Sequence, residues 1–336
     1  MPPLSNSPVS AGKPGMTDAP QRVLLAGASG YIGRRVAETL VARGCQVIAL
    51  TRSEPTTSKM QTDSIVADVT DADSLSDALR NTRAHSVISC LASRTGVSED
   101  SWLVDHQANR NLLATCRDLG AEHFVLLSAI CVQKPRLAFQ HAKLAFENEL
   151  KNSGIGYSIV RPTAFFKSLS GQVQRVLNNK PFLVFGDGML TACKPISAED
   201  MAAYLCDCLV DTDKRNRVLP IGGPGPALTA REQGQLLFDA VGKPARFRSV
   251  SPRLFKILGW MLALPAWVSR AAATRRELLR IGHYYATESM LVWDPVGDHY
   301  DADATPEYGR DTLAAHYQRL VTEGDNDTEL GEHKLF

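Results

Sequence analysis

Three glycines spaced two residues apart, Gly27-Ala-Ser-Gly30-Tyr-Ile-Gly33, stand between a short apolar run (23–26) and apolar residues at helical spacing, Ile32, Val36, Leu40 and Val41. A second apolar run follows at 47–50. Strand, glycine turn, helix and strand in that order form the unit that cradles a dinucleotide pyrophosphate. Glycine permits positive φ and close backbone approach, while the helix N-terminus offers free N–H groups and the positive end of its dipole. The candidate contacts are Gly27, Ser29, Gly30, Tyr31, Ile32 and Gly33. The second run ends in Thr51-Arg52 rather than in an acid. An acid there would hold the ribose hydroxyls of NAD, whereas arginine pairs with a 2′-phosphate, so Thr51 and Arg52 point to NADPH.

A second set of reactive groups lies farther along. Ser128 closes an apolar run at 124–127, and a helix expected over 136–152 carries Phe139 and Lys143. Short-chain dehydrogenases place a serine after the fifth strand and Tyr-x-x-x-Lys on the next helix; the tyrosine relays a proton and the lysine lowers its pKa while holding the nicotinamide ribose. Here the tyrosine position is Phe139, which can neither give nor take a proton. Alcohol–ketone chemistry and sugar epimerisation are therefore disfavoured, leaving hydride transfer to a carbon–carbon double bond or no chemistry at all. Ser128 and Lys143 are the catalytic candidates, and Lys143 is also a candidate ribose contact. The competing readings are a strand-end cap for Ser128 and a solvated helix lysine for Lys143.

The elements that must position these groups alternate strand and helix through short links. That pattern predicts an α/β fold, a Rossmann-type doubly wound parallel sheet with a smaller, mainly helical C-terminal substrate lobe. A third strand is expected at 64–69, where Asp68 and Val69 either touch an adenine or simply end the strand. A helix is expected over 71–80. A fourth strand at 86–92 has a small-residue exit that lets the chain pass close to a cofactor ribose, with Cys90, Leu91 and Ala92 as candidate contacts. A helix over 105–119 carries Asn109 and Asn111, and a sixth strand covers 157–160. Beyond Thr163 the alternation weakens. The expected division is a disordered leader (1–20), an NADP-binding domain (21–163), a substrate lobe with some return to the core sheet (164–322) and a disordered acidic tail (323–336).

Composition narrows the partners. A formal net charge of +1 gives no argument for nucleic acid. The seven cysteines are scattered without a C-x-x-C pair, which points to thiols in a reducing cytosol rather than disulfides, and no metal site is expected. Residues 1–20 lack the apolar core of a signal sequence and contain no arginine. The segment 251–285 differs in kind. Its apolar run at 257–268 holds Trp260 and Trp267 among Arg253, Lys256, Arg270, Arg275, Arg276 and Arg280. The run is too short to cross a bilayer and is broken by Pro265. Such a segment lies on a membrane surface, covers a flat apolar ligand, or packs as a hairpin on the core.

Taken together, Gly-Ala-Ser-Gly-Tyr-Ile-Gly, Phe139-Gln-His-Ala-Lys-Leu-Ala-Phe-Glu, Arg161-Pro-Thr-Ala-Phe-Phe-Lys-Ser, Gly186-Asp-Gly and Tyr284-Tyr-Ala-Thr-Glu-Ser-Met-Leu-Val-Trp-Asp-Pro closely resemble the NADPH-dependent divinyl chlorophyllide 8-vinyl reductases. These are atypical members of the extended short-chain dehydrogenase family, and the resemblance spans about 21–320. It implies reduction of the C8 vinyl group of a magnesium tetrapyrrole, 3,8-divinyl chlorophyllide or protochlorophyllide, to ethyl. It also implies a pigment site for which Phe139, Phe165, Phe166, Trp260, Trp267 and His283 are candidates, His283 being either an axial ligand of the pigment magnesium or a surface histidine. A cytoplasmic bacterial enzyme, peripheral at photosynthetic membranes, is the expected setting. The alternatives are a non-catalytic NADP-binding assembly or redox-sensing protein, and an isoflavone-reductase-like reductase of a small phenolic substrate.

Overall fold

Apolar strands that are buried on both faces need helices above and below, and the chain supplies them in alternation. The computed structural model describes residues 21–53, 62–263, 267 and 269–323; the expected leader (1–20) and all but Glu323 of the expected tail lie outside them. The strands β1 (Arg22–Ala26), β2 (Gln46–Thr51), β3 (Asp63–Val66), β4 (Ser86–Ser89), β5 (His123–Leu127) and β6 (Gly156–Pro162) form one parallel sheet, completed by Arg217–Ile221. Its order is β3-β2-β1-β4-β5-β6 followed by Arg217–Ile221. The order reverses between β1 and β4, and ligands of such sheets bind in the crevice at the strand C-termini beside that reversal.

Alternation along β1 builds the two cores. Val23 and Leu25 face a cluster with the helix Tyr31–Ala42 and, from far along the chain, the helix Ala198–Asp207. Leu24 and Ala26 face the other side, where Leu75, Leu112, Phe124, Phe146 and Leu150 pack. Arg43 ties the first pair of helices together through Asp207 at 2.7 Å. Residues beyond 163 thus share the core of the dinucleotide-binding half and return a strand to its sheet.

Several boundaries differ from the sequence reading. β3 ends at Val66, because Asp68 turns the chain by accepting from Thr70 N at 2.9 Å and Thr70 Oγ1 at 2.7 Å. β4 stops at Ser89, and Asp71 caps the helix Ala72–Leu79 rather than lying within it. The helix expected to start at Asp105 begins earlier, at Ser98, and passes through a wide π turn, Trp102–Ala108, before Asn109–Leu119.

The lobe combines the helices Ala230–Val241, Arg253–Met261, Arg270–Thr287 and Leu313–Glu323 with three two-stranded sheets. Thr229 and Glu232 form a reciprocal cap at the start of the first. Its own core holds Phe166, Val176, Phe182, Leu237, Phe238 and Tyr317. No described helix is long and apolar enough to cross a membrane.

His123 at the start of β5 is buried, its Nε2 3.0 Å from Ser158 Oγ on β6. Burial, aided by the nearby Arg215 charge, lowers its pKa from 6.5 to about 4. The unfolded chain binds this proton near pH 6.5 and the fold resists it until near pH 4. The contribution is therefore fully present above pH 6.5 and is lost as pH falls toward 4. Melting temperatures across that window should drop in the unaltered protein and drop less in His123→Gln; identical slopes would assign the loss to other groups.

Candidate cofactor and active site

The glycine turn closes the C-terminal end of β1 where its neighbour β4 leaves the sheet. Gly27 holds φ +81°, and a Cβ there would lie 2.8 Å from the Cys90 carbonyl oxygen. At Gly33 a Cβ would lie 2.0 Å from the Gly27 carbonyl oxygen. Both positions therefore exclude side chains. Gly30 caps the helix Tyr31–Ala42 without a side-chain hydrogen bond, and its first turn carries no acid. The positive dipole end of this helix meets no competing carboxylate from its own first turn, which suits a pyrophosphate. Ser29 and Gly30 are exposed and Ile32 is buried. Lys167 lies 4.9 Å from the Tyr31 ring centroid, bringing a second cation to this end of the sheet.

Arg52 is exposed just beyond β2, and the Thr51 hydroxyl is buried with no partner among the described residues. Asp68 is close enough to feel the Arg52 charge, but the Thr70 hydrogen bonds are the main cause of its lowered pKa. Asn111 donates to the Val69 carbonyl at 3.1 Å, anchoring the loop that Asp68 and Val69 belong to. Beyond β4, Leu91 N donates to Ser89 Oγ at 3.4 Å and Ser93 N to Asp105 Oδ1 at 3.3 Å. Burial pushes the Cys90 thiol up to about 12, so it stays protonated. The cradle without Cβ atoms, the orphaned Thr51 hydroxyl and the exposed arginine fit a phosphorylated dinucleotide.

At the neighbouring strand end, Lys143 Nζ pairs with Asp105 Oδ1 at 2.9 Å; their side chains are 11% and 0% exposed. The π turn delivers Asp105. Asn109 satisfies the carbonyls of Val104 and Asp105 at 3.3 and 3.1 Å, and its own Oδ1 accepts from Ser89 Oγ at 2.5 Å. π turns of this kind recur at functional sites. Asp105 Oδ2 is buried and has no hydrogen-bond partner among the described residues.

Ser128 is placed differently from the sequence expectation. It donates to Glu147 Oε1 at 2.6 Å, and Glu147 is also held by Arg161. The serine hydrogen is thus engaged in a buried structural cluster rather than directed to Lys143. Phe139 is 8% exposed and packs with Cys131, Leu137, Ile281 and Tyr284. A Cβ on Gly96 would meet Ile281 Cδ1 at 3.2 Å and Phe139 Cδ1 at 3.5 Å, so three segments converge here. Tyr285 joins the same cluster; burial and the adjoining Cys131 raise its pKa well above 10.

The helix Arg270–Thr287 is fastened to the loop after β5 by polar contacts. Tyr284 donates to the Cys131 carbonyl at 3.0 Å, and Glu288 binds Lys134 at 3.0 Å and Arg136 at 2.6 Å. Lys134 also lies 3.7 Å from the Trp293 ring centroid. These contacts join residues 131–136 to residues 284–293, a separation that sequence spacing does not reveal.

Of the expected pigment contacts, Phe166 is corrected: it is 1% exposed, in the lobe core against His316, and supports the lobe instead of lining an open site. Phe165 is half-buried beside the first core and bridges to Ile196. Trp260 and Trp267 are 78% and 90% exposed, and the helix Arg253–Met261 buries no residue. It touches the next helix through Phe255 against Gly282. The packed-hairpin reading therefore holds for Phe255 and not for the tryptophans. His283 is half-buried, its pKa lowered by burial and by the Lys256 and Arg136 charges.

A family profile described as NAD(P)H-binding matches residues 27–212, and the chain is a member of that NAD(P)H-binding class. Among solved structures, an NADPH-dependent quinone oxidoreductase from Escherichia coli, complexed with NADPH, aligns with TM-score 0.66 and 18% identity over 89% of this chain and 99% of that one. A nucleoside-diphosphate-sugar epimerase from Staphylococcus aureus aligns with TM-score 0.64 and 15% identity, covering 89% and 100%. Those two likenesses show the fold. Sequence relatives are nearer: the divinyl chlorophyllide a 8-vinyl-reductase of Zea mays is 46% identical, covering 99% of this chain and 89% of its own length. Its Arabidopsis thaliana counterpart is 45% identical, covering 92% and 79%. The chain belongs to the divinyl chlorophyllide a 8-vinyl-reductase family. Both relatives are named as chloroplastic, which lends no support to the expected bacterial setting.

Proposed function

We propose that the chain is an NADPH-dependent oxidoreductase that reduces the C8 vinyl group of 3,8-divinyl chlorophyllide or protochlorophyllide to ethyl. The names of its relatives support divinyl chlorophyllide a as the substrate. The observation that carries the chemistry is a largely covered, ion-paired Lys143 with phenylalanine, not tyrosine, one helical turn before it.

When bound, NADPH supplies the hydride. The backbone of 27–33 and the helix end at Gly30 would hold its pyrophosphate, and Arg52 would hold its 2′-phosphate. Hydride arriving at the terminal vinyl carbon leaves negative charge spread through the macrocycle rather than on an oxygen. No hydroxyl donor is then required at position 139, and Phe139 instead offers an apolar wall. The inner vinyl carbon needs a proton. Lys143 supplies it, directly or through water, or else anchors the nicotinamide ribose. With its hydroxyl given to Glu147, Ser128 acts by fixing the end of β5.

Mixing the purified protein with NADPH and each divinyl pigment should produce the blue shift of vinyl-to-ethyl conversion; no shift with either pigment overturns the reading. Lys143→Ala should lower turnover about 10²–10⁴-fold. A simultaneous loss of NADPH affinity marks a ribose anchor, and unchanged affinity marks a proton donor. Normal turnover and affinity would remove Lys143 from the mechanism.

The reading extends to a membrane. Leu254, Ile257, Leu258, Trp260 and Met261 are exposed on one short helix, Trp267 follows, and Arg253, Lys256, Arg270, Arg275 and Arg276 flank them. Apolar side chains with a basic rim suit a peripheral contact with an anionic lipid surface that stores the pigment. The protein should float with anionic vesicles, and Trp260→Asp combined with Trp267→Asp should release it while sparing NADPH binding. Flotation unchanged by both substitutions would assign the patch to another partner.

A further inference from the structure

We infer that Asp105 is a cofactor-binding residue, accepting a hydrogen bond from a hydroxyl of the nicotinamide ribose at the atom Oδ2. The inference rests on the reading of the chain as an NADPH enzyme and names a residue that the glycine motif and the Phe139–Lys143 spacing do not.

One oxygen of this carboxylate is accounted for: Oδ1 binds Lys143 Nζ at 2.9 Å and accepts from Ser93 N at 3.3 Å. The other, Oδ2, is buried and has no partner among the described residues. An unpaired carboxylate oxygen out of water is costly, and a donor arriving with a ligand offsets that cost. The surroundings restrict which donor arrives. Asp105 is tied by Ser93 to the segment that leaves β4, which passes Gly27 and the start of the dinucleotide cradle. It sits at the C-terminal side of the sheet, next to the order reversal, where the nucleotide must lie.

An ammonium only donates and an ionised carboxylate only accepts, whereas an alcohol does both. A pair presenting Nζ and a free carboxylate oxygen side by side therefore matches a hydroxyl or a vicinal diol: the alcohol oxygen accepts from Lys143, and an alcohol hydrogen goes to Asp105. A pigment carboxylate offers only acceptor oxygens of like charge and does not match the free oxygen. The ribose diol is the part of NADPH with this chemistry. With phenylalanine at 139, no phenol is present at that position to meet the ribose, and the carboxylate supplies the missing acceptor. The π turn accounts for its reach: Asn109 and Ser89 hold the turn so that Asp105 points inward rather than along the helix surface.

The test compares the binding of two probes by titration, without turnover. NADPH carries the nicotinamide ribose; 2′,5′-ADP carries only the adenosine end. Asp105→Asn should weaken NADPH binding roughly ten- to hundredfold, the range of a lost charge-assisted contact, and leave 2′,5′-ADP unchanged. Arg52→Ala should weaken both, and Asp105→Glu should restore part of the NADPH affinity. Equal losses for both probes in Asp105→Asn, or no loss for either, would overturn the assignment. A measurement on the unaltered protein covers the case in which the variant does not fold. An NADPH analogue with 2-deoxyribose on its nicotinamide side should bind at least tenfold more weakly than NADPH, and equal binding again overturns it. Failure of the unaltered protein to bind either NADPH or 2′,5′-ADP would instead remove the underlying NADPH reading, and the proposal with it.

Discussion

A lysine and an aspartate, both almost out of water and 2.9 Å apart, set the terms for the elements around them. Burying two charges costs several kcal/mol per ion unless geometry and further hydrogen bonds offset it. Much of the polar construction near the sheet edge answers that requirement. Ser93 binds the aspartate, Asn109 and Ser89 hold the π turn that carries it, and Glu147 with Arg161 balances charge on the same helix face as Lys143. Gln140 fixes the start of that helix by accepting from Leu137 N at 3.0 Å and donating to the Cys131 carbonyl at 2.9 Å. A pair this dry is expensive to keep for stability alone, which is why a role toward a ligand is the economical explanation.

The dinucleotide cradle was legible because its constraint is local. Glycine spacing, the flanking apolar runs and Arg52 all lie within one stretch, and the same stretch dictates the turn. Lys143 was legible for the same reason, through its distance from Phe139. Asp105 was not. By pattern it looked like an ordinary first-turn acid, since apolar periodicity becomes clear only after it. The helix starts earlier and widens because Asn109 meets Ser89, a contact across twenty residues of chain that no periodicity records. A buried-face charge series, Lys143 followed by Glu147 one turn on, was the available signal for the Glu147 cluster. Phe166 misled for a related reason: two adjacent phenylalanines in a motif say nothing about which one faces the core.

The C-terminal motif acquires a mechanical meaning. Tyr284, Glu288 and Trp293 close the helix Arg270–Thr287 onto the loop after β5, which fixes the lobe against the dinucleotide-binding half. The neighbouring helix Arg253–Met261 is left with its apolar residues outward. One face of the lobe is thus fixed to the core by polar contacts, while the other leaves apolar side chains exposed.

The central claim is that a site without its tyrosine reduces a conjugated double bond by hydride addition to the terminal carbon, followed by protonation. The most direct measurement follows the isotope. NADPH deuterated at the transferring C4 position should place one deuterium in the methyl group of the new ethyl substituent, and reaction in deuterated water should label its methylene carbon. Cofactor deuterium in the methylene group, or its absence from the product, would contradict the account.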